Sequence, residues 1–398
     1  MKNRWIVLAA GILIQTILGG IYAWSIFVPY LIDDYALSKG QCGTIFGLCI
    51  ATFTLSMIAG GRLLSAKGPR LTALVGSVLF LSGYLVASAS GGSFLLLLLG
   101  ISILSGAGIG FGYVCPLTVG LQWFPNSKGL ITGVSVAGFG GGAIVLSSLA
   151  THFLDAGMDV LILFRWLAAI AGGLLILASL LLAVPWEIKK TAATNPILSE
   201  ILTLPFLLCL FGIFMGTFSG LLVVGNLSPI ALNAGLSVEL AATSVSIFAV
   251  GNALGRIAWG FLFDRIRYIS IPASLACFAL VLMVLAVSSN TMILLFCAGL
   301  LGFGFGANFV IYASALSNHF DIASFPRLYP VCFLGYGLAG VTGPGIGGFL
   351  ADLTGNYQTA LYLSAAMVAF AALVTAAGLR VFQTQPIPEQ EPLVEPAS

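Results

Sequence analysis

The sequence predicts an all-α polytopic membrane protein of twelve transmembrane helices, arranged as two pseudo-symmetric six-helix bundles. Three observations carry that prediction. The chain is 59% hydrophobic and only 7% charged. Its apolar residues fall into twelve blocks long enough to cross a bilayer. Motifs in the first half return in order in the second. Soluble proteins average about 25% charged residues, and 15 basic plus 13 acidic residues cannot clothe a water-facing surface on a chain of 398. An ordinary soluble enzyme and a disordered chain are thereby excluded. A net charge of +2 is too small and dispersed to bind nucleic acid.

The blocks are 5–31, 41–63, 70–89, 94–118, 128–153, 161–184, 204–232, 240–263, 269–288, 291–316, 328–351 and 358–381. Each provides the roughly 20 apolar residues a spanning helix needs. The first follows directly on Lys2 and Arg4 and is too long for the apolar part of a cleavable leader, so it is expected to be its own insertion signal. The longest polar interruption, 185–203, carries Glu187, Lys189, Lys190 and Glu200. It divides the chain into an N-terminal bundle, 1–184, and a C-terminal bundle, 204–382. The remaining 383–398 holds four prolines and three glutamates and is expected to be a disordered cytoplasmic tail. Cys42, Cys49, Cys115, Cys209, Cys277, Cys297 and Cys332 all sit in apolar stretches without a Cys-x-x-Cys pair, and read as small buried residues.

Alternating loops differ in positive charge. Lys2, Arg4, Arg62, Lys67, Arg70, Lys128, Lys189, Lys190, Arg265, Arg267, Arg327 and Arg380 fall on one side; Lys39 and Arg165 fall on the other. The positive-inside rule then puts both termini and the central loop in the cytoplasm. The expected location is the cytoplasmic (inner) membrane of a prokaryote.

The halves match at an offset of about 196–200 residues. Gly20 and Pro29 match Gly220 and Pro229. Gly61-Arg-Leu-Leu-Ser-Ala-Lys-Gly68 matches Gly260-Phe-Leu-Phe-Asp-Arg-Ile-Arg267. Gly106, Gly108, Gly110 and Phe124 match Gly302, Gly304, Gly306 and Phe320. Gly138-Phe-Gly140 matches Gly335-Tyr-Gly337, and Asp155 matches Asp352. Two parallel six-helix repeats place a binding site near the midplane between them. The glycines, densest at Gly138 and Gly140 to Gly142, read as close helix packing in lipid and as bending points for gating; the two roles are compatible.

Of all the charged residues, Arg256 alone lies inside a span away from its ends. Arginine at a helix centre costs about 2.5–3.5 kcal/mol on insertion scales. No acid lies within any span to offset this; Asp264 is eight residues on, at the interface. The alternatives are snorkelling, a structural pair with that acid, or an anionic substrate. A guanidinium presents a planar fork that matches a carboxylate in two parallel bonds. Asn252 is one turn earlier on the same face. Tyr22, Tyr113, Tyr312 and Tyr336 lie away from the interfacial belts where tyrosine needs no explanation. With Arg256 they suggest a small polar pocket. Asn308 fits that pocket or a helix–helix hydrogen bond equally well.

The Gly-x-Leu-x-Asp-Arg-x-Gly loop after the second and eighth spans resembles the signature of the major facilitator superfamily. Gly260, Leu262, Asp264 and Arg265 keep it, with Arg267 at the final glycine. Gly61, Leu63 and Gly68 keep it in the first copy, with Ser65 and Ala66 replacing the acid and the arginine. Gly19-Gly-Ile-Tyr-Ala-Trp-Ser-Ile-Phe27, Gln122-Trp-Phe-Pro-Asn-Ser-Lys-Gly-Leu-Ile131, Gly220-Leu-Leu-Val-Val-Gly-Asn-Leu-Ser-Pro-Ile-Ala231, Gly251-Asn-Ala-Leu-Gly-Arg256 and Tyr336-Gly-Leu-Ala-Gly-Val-Thr-Gly-Pro344 resemble the oxalate/formate antiporter family, over nearly the whole chain before the tail. That branch includes bacterial lactate and pyruvate carriers. The resemblance implies substrate binding by Arg256 with Tyr22, Tyr113 and Tyr312, and gating contacts at Gly61, Gly68, Gly260, Asp264 and Arg265.

Two departures refine this. Oxalate carriers of the family have a lysine in the eleventh span, and Leu334-Gly-Tyr-Gly-Leu-Ala339 has none. One buried cation suits one carboxylate, since a dianion leaves a charge unpaired in low dielectric. Animal monocarboxylate carriers have an acid four residues before the arginine, where Asn252 stands here. The expected function is therefore transport of a small monocarboxylate, of the lactate, pyruvate or formate class, with proton symport and anion exchange both open. The alternatives are an oxalate/formate-type exchanger and, from another class, a non-transporting membrane sensor. The latter is disfavoured by loops under twenty residues. No catalytic role, metal or cofactor is expected. The partners are the carboxylate, protons and lipid, and the chain is expected to be a monomer.

Overall fold

The computed structural model describes residues 3–185, 197–288, 290–320 and 322–383. Among these residues the protein is all-helical, with twelve long helices. They are α1 (Arg4–Tyr35), α2 (Lys39–Lys67), α3 (Pro69–Ser88), α4 (Phe94–Trp123), α5 (Lys128–Asp155), α6 (Val160–Leu181), α7 (Leu204–Gly225), α8 (Val238–Ile266), α9 (Ser270–Val287), α10 (Thr291–His319), α11 (Phe325–Thr354) and α12 (Gln358–Ala377). Ten stretches have the length and apolarity of a membrane span, one of which, Glu239–Val287, holds both α8 and α9. The 30-residue α11 completes the twelve. Leu95, Leu177, Phe296 and Leu373 are exposed on the outside, as lipid-facing side chains must be. Most of the expected central loop and the tail, at 186–196 and 384–398, lie outside the described residues.

Local chemistry sets the helix ends. Ser38 and Gln41 form a reciprocal capping box at the start of α2. Asp159 accepts from the Leu161 and Ile162 N–H groups at 2.8 and 3.1 Å, starting α6. It also accepts from the Tyr35 hydroxyl at 2.5 Å, tying the end of α1 to the same loop. Gly68 ends α2 at φ 84°, a backbone conformation that glycine adopts without strain. The repeat has Arg267 there, at φ 49° and ψ −129°.

Two expectations about helices change. The first block is not one continuous α-helix: Gly20–Ile26 winds as a 3-10 segment between α-helical parts. Pro29, in the helix that follows, has no N–H to continue the ladder. The eighth helix runs to Ile266, because Asp264 and Arg265 stay helical. Arg256 is therefore about 15 Å from the helix end at 1.5 Å per residue, deeper than the 240–263 block implies.

Glycine allows helices one and five to meet backbone to backbone. A Cβ added at Gly19 would lie 1.9 Å from the Phe139 carbonyl oxygen, and one at Gly142 would lie 1.9 Å from that of Thr16. Close packing thus accounts for Gly142, while Gly141 has nothing within 4 Å. Six of the seven cysteines are buried; Cys277 is exposed, contrary to the expectation for it.

The two bundles touch at one end and diverge at the other. A Cβ at Gly61 of α2 would lie 1.8 Å from the Pro326 oxygen of α11. Further along the same pair of helices, one at Gly337 would lie 2.7 Å from Thr54 Oγ1, and one at Gly340 would lie 3.8 Å from Ile50. Gly43 and Gly47, continuing that face of α2, have nothing within 4 Å. Between α5 and α8 the same taper runs from Gly129 against the Gly260 oxygen, at 2.2 Å, to Gly140 beside the Arg256 guanidinium, at 3.6 Å. The closed end is the one that bears the signature loops.

Candidate functional site

Arg256 sits where this taper begins to open, and it is 1% exposed. Its Nε–H donates to Asn252 Oδ1 at 3.1 Å, the one-turn neighbour on α8. Its Nη1 donates to the Val136 carbonyl of α5 at 2.6 Å, across the bundle boundary. Its Cζ lies 4.4 Å from the centre of the Phe309 ring of α10, a cation–π contact. All these partners are neutral, and among the described residues no carboxylate contacts Arg256. Asp264, the acid considered as its structural partner, is engaged elsewhere. The charge is held in place and left uncompensated.

Aromatic side chains from both bundles close around it. Phe139 stands 5.5 Å from Tyr22 and 5.1 Å from Tyr113. Tyr113 packs 5.4 Å from Phe333 of α11. Phe309 packs 5.2 Å from Tyr336. The hydroxyls of Tyr22 and Tyr336 share a hydrogen bond across the boundary. Gly140 leaves the guanidinium approachable: a Cβ there would sit 3.6 Å from Cζ and Nη1.

The structure does not gather every expected residue. Tyr312 and Asn308 point at α7, whose glycines make room for them. A Cβ at Gly212 would lie 2.4 Å from the Tyr312 hydroxyl, and one at Gly216 would lie 2.1 Å from Asn308 Oδ1. Asn308 Nδ2 donates to the Phe305 carbonyl at 3.1 Å. That bond stays within α10, so Asn308 packs on α7 without the helix–helix hydrogen bond that was its alternative reading.

The closed end is held asymmetrically. Both Asp264 oxygens accept from backbone N–H groups at the start of α5, Gly129 at 2.8 Å and Leu130 at 2.9 Å. A carboxylate at a helix N-terminus is favoured by the helix dipole and the free N–H groups. Lys128 Nζ, 8% exposed, donates to the Ser317 carbonyl at 3.0 Å. On the α2–α11 side, Gly61 meets Pro326 by backbone apposition, with Ser65 where an acid would stand. The Ser65 hydroxyl donates to its own helix, to the Gly61 carbonyl.

The family model described as Major Facilitator Superfamily matches residues 8–229 and again 206–397. The chain belongs to the major facilitator superfamily. The transporter is 27% identical over 387 residues to the oxalate:formate antiporter of Oxalobacter formigenes, covering 93% of this chain and 91% of that protein. It is 24% identical over 392 residues to monocarboxylate transporter 11 of Mus musculus, covering 92% and 85%. Its fold matches the crystal structure of the E. coli fucose:proton symporter FucP with a TM-score of 0.75 at 15% identity, covering 97% of this chain and 100% of that one.

Sequence reasoning missed Val136, Phe309, Phe333 and the buried role of Lys128 in the transporter. Val136 acts through a backbone carbonyl, which leaves no mark on residue type. Lys128 was visible only as a loop charge. Phe309 stands one residue after Asn308, and so on another face of α10.

Proposed function

We propose that this transporter carries a small monocarboxylate across the cytoplasmic membrane by alternating access, with Arg256 holding the carboxylate. The observation that carries the reading is a wholly buried guanidinium whose partners are all neutral. A carboxylate supplies the missing charge and takes the nitrogen, Nη2, that has no hydrogen bond among the described residues. Tyr22, Tyr113 and Tyr336 border the same space, and Asn252 fixes the guanidinium plane through Nε. The rocking units are the bundles 1–184 and 204–382. Neutralising Arg256 lowers the electrostatic cost of closing a dry cavity around it. An inside-negative potential opposes anion entry by about 2.3 kcal/mol per charge per 100 mV, so uptake needs a proton or a counter-anion. The positive-charge bias puts the closed end in the cytoplasm, making this an outward-facing state.

Oxalate/formate exchange is the second reading, favoured by the antiporter relative. Arg256 and Lys128 are the buried cations among the described residues, and Lys128 belongs to the closed end. That count favours one carboxylate over two. Uptake of radiolabelled lactate, pyruvate, formate and oxalate into proteoliposomes, with and without a proton gradient, tests the proposal. Uptake of a monocarboxylate supports it; uptake of oxalate alone, or of none of the four, overturns it.

A further inference from the structure

α11 presents Tyr329, Phe333 and Tyr336 at successive intervals of four and three residues, which puts them on one face of the helix. Tyr329 and Tyr336 are then about 10 Å apart along the axis, with Phe333 between them. Each faces a tyrosine of the opposite bundle. Tyr336 bonds to Tyr22 of α1. Tyr329 and Tyr113 of α4 both pack on Phe333, at 5.5 and 5.4 Å, and Phe333 in turn stands 6.2 Å from the Phe309 ring under Arg256. The two positions differ in one respect. Tyr329 is 0% exposed, and its hydroxyl, which lies near that of Tyr113, makes no hydrogen bond of regular geometry. Its ring is fixed by stacking on Phe325 at 5.1 Å and packing on Phe333 at 5.5 Å. Buried hydroxyls are normally bonded, and an orphan calls for a reason. Tyr329 also lies on the closed-end side of Tyr336, since α11 begins at the Gly61–Pro326 contact.

We infer that Tyr329 is a substrate-binding residue of the opposite conformation: when the closed end opens, its hydroxyl donates to the carboxylate held by Arg256, as the Tyr22–Tyr336 pair borders that carboxylate now. This rests on the reading of Arg256 as the carboxylate site. The orphan hydroxyl is the consequence of a donor that one state uses and the other stores. Polar burial without a regular hydrogen bond is tolerated here because the aromatic stack holds the ring in position for the second state.

The test uses the whole transporter in proteoliposomes. Tyr329→Phe removes the hydroxyl and keeps the ring. With no regular hydrogen bond to lose, its unfolding midpoint should stay close to or exceed that of wild type, while uptake of the carried carboxylate falls at least tenfold. Unchanged uptake overturns the assignment. So does a midpoint that drops together with uptake, because that marks a packing role. A second readout needs no substrate. In a Tyr329→Cys, Cys277→Ser variant, a membrane-impermeant thiol reagent added at the face bearing Asp264 should modify residue 329, and saturating carboxylate should slow the reaction. Absence of modification from that face overturns the assignment alone. A wild type that carries none of lactate, pyruvate, formate and oxalate overturns the Arg256 reading and this assignment with it, whatever the thiol result.

Discussion

Arg256 of α8 donates its Nη1 to the carbonyl oxygen of Val136 in α5, 2.6 Å away in the other bundle. The bond joins the proposed substrate-binding charge directly to the boundary between the two bundles. A carboxylate taking Nη2 binds beside the Nη1 that holds that carbonyl, so substrate binding and bundle contact share one guanidinium. Hydrogen bonds to charged groups contribute about 1.5–3 kcal/mol each. Arg256→Ala is therefore expected to reduce carboxylate uptake by about 100-fold or more, at 1.36 kcal/mol per tenfold. Arg256→Lys keeps the charge and loses the fork, and should lose at least tenfold. Normal uptake by either variant shows that the carboxylate sits elsewhere.

Asp264 stabilises the closed end by capping α5. Asp264→Ala leaves the Gly129 and Leu130 N–H groups without their acceptor. Loss of a cap costs about 0.5–2 kcal/mol, so the equilibrium should move about 2- to 30-fold toward opening of that end. Spin labels placed by Ser65→Cys and Ile269→Cys should report a longer distance in the variant. An unchanged distance distribution would mean that the cap does not bias the states.

Gly61 and Gly43 lie on the same face of α2 and should respond oppositely to a methyl group. At Gly61 the added Cβ would lie 1.8 Å from the Pro326 oxygen, so Gly61→Ala pushes the bundles apart at the closed end. Overpacking of this kind costs about 1–3 kcal/mol. Gly43→Ala meets nothing within 4 Å. Uptake should fall at least fivefold in the first and stay within twofold in the second, at equal expression. Equal uptake in the two variants argues that the taper is not part of the cycle.

A second cation should change the preferred charge of the substrate. Residue 336 is the place to put it, because Tyr336 borders the Arg256 site, whereas a side chain at Gly335 would press on Ile213 at 3.0 Å. Tyr336→Lys is expected to raise the ratio of oxalate to monocarboxylate uptake at least tenfold. A ratio that stays constant contradicts the charge-count argument.

Arg267 occupies the position of the signature's final glycine with φ 49° and ψ −129°, a region almost confined to glycine and costing other residues about 1–3 kcal/mol. Arg267→Gly relieves that strain and loses part of it to backbone entropy. The expected net gain is about 1 kcal/mol, visible as a higher unfolding midpoint. A lower midpoint would show that the arginine side chain contributes more than the strain removes.

Some of the site was legible because of scarcity. One arginine stood in a span with no acid beside it, and a charge in lipid needs compensation whatever the fold. Tyr22, Tyr113 and Tyr336 were found for a related reason, as hydroxyls away from the interfaces. Tyr312 and Asn308 satisfied the same test and yet face α7. α10 is buried on every side from Gly304 to Ser317, so its apolar pattern carries no information on which face looks inward. Tyr329 was hidden because it sits near the start of its helix, where tyrosine at an interface is unremarked.

The sequence by itself determined the class of protein, the number of helices, the internal repeat and the one charge that needs a partner. These follow from solvation, which depends on residue type and spacing along the chain. The tertiary structure alone decided that Val136 and Phe309 hold Arg256, that Asp264 caps α5 instead of pairing with that arginine, and that the bundles close at the signature loops and open at the other end. Those outcomes depend on which helix faces meet and how closely their backbones approach. Distances of two or three ångströms between residues more than a hundred positions apart are set by packing, and no local pattern records them.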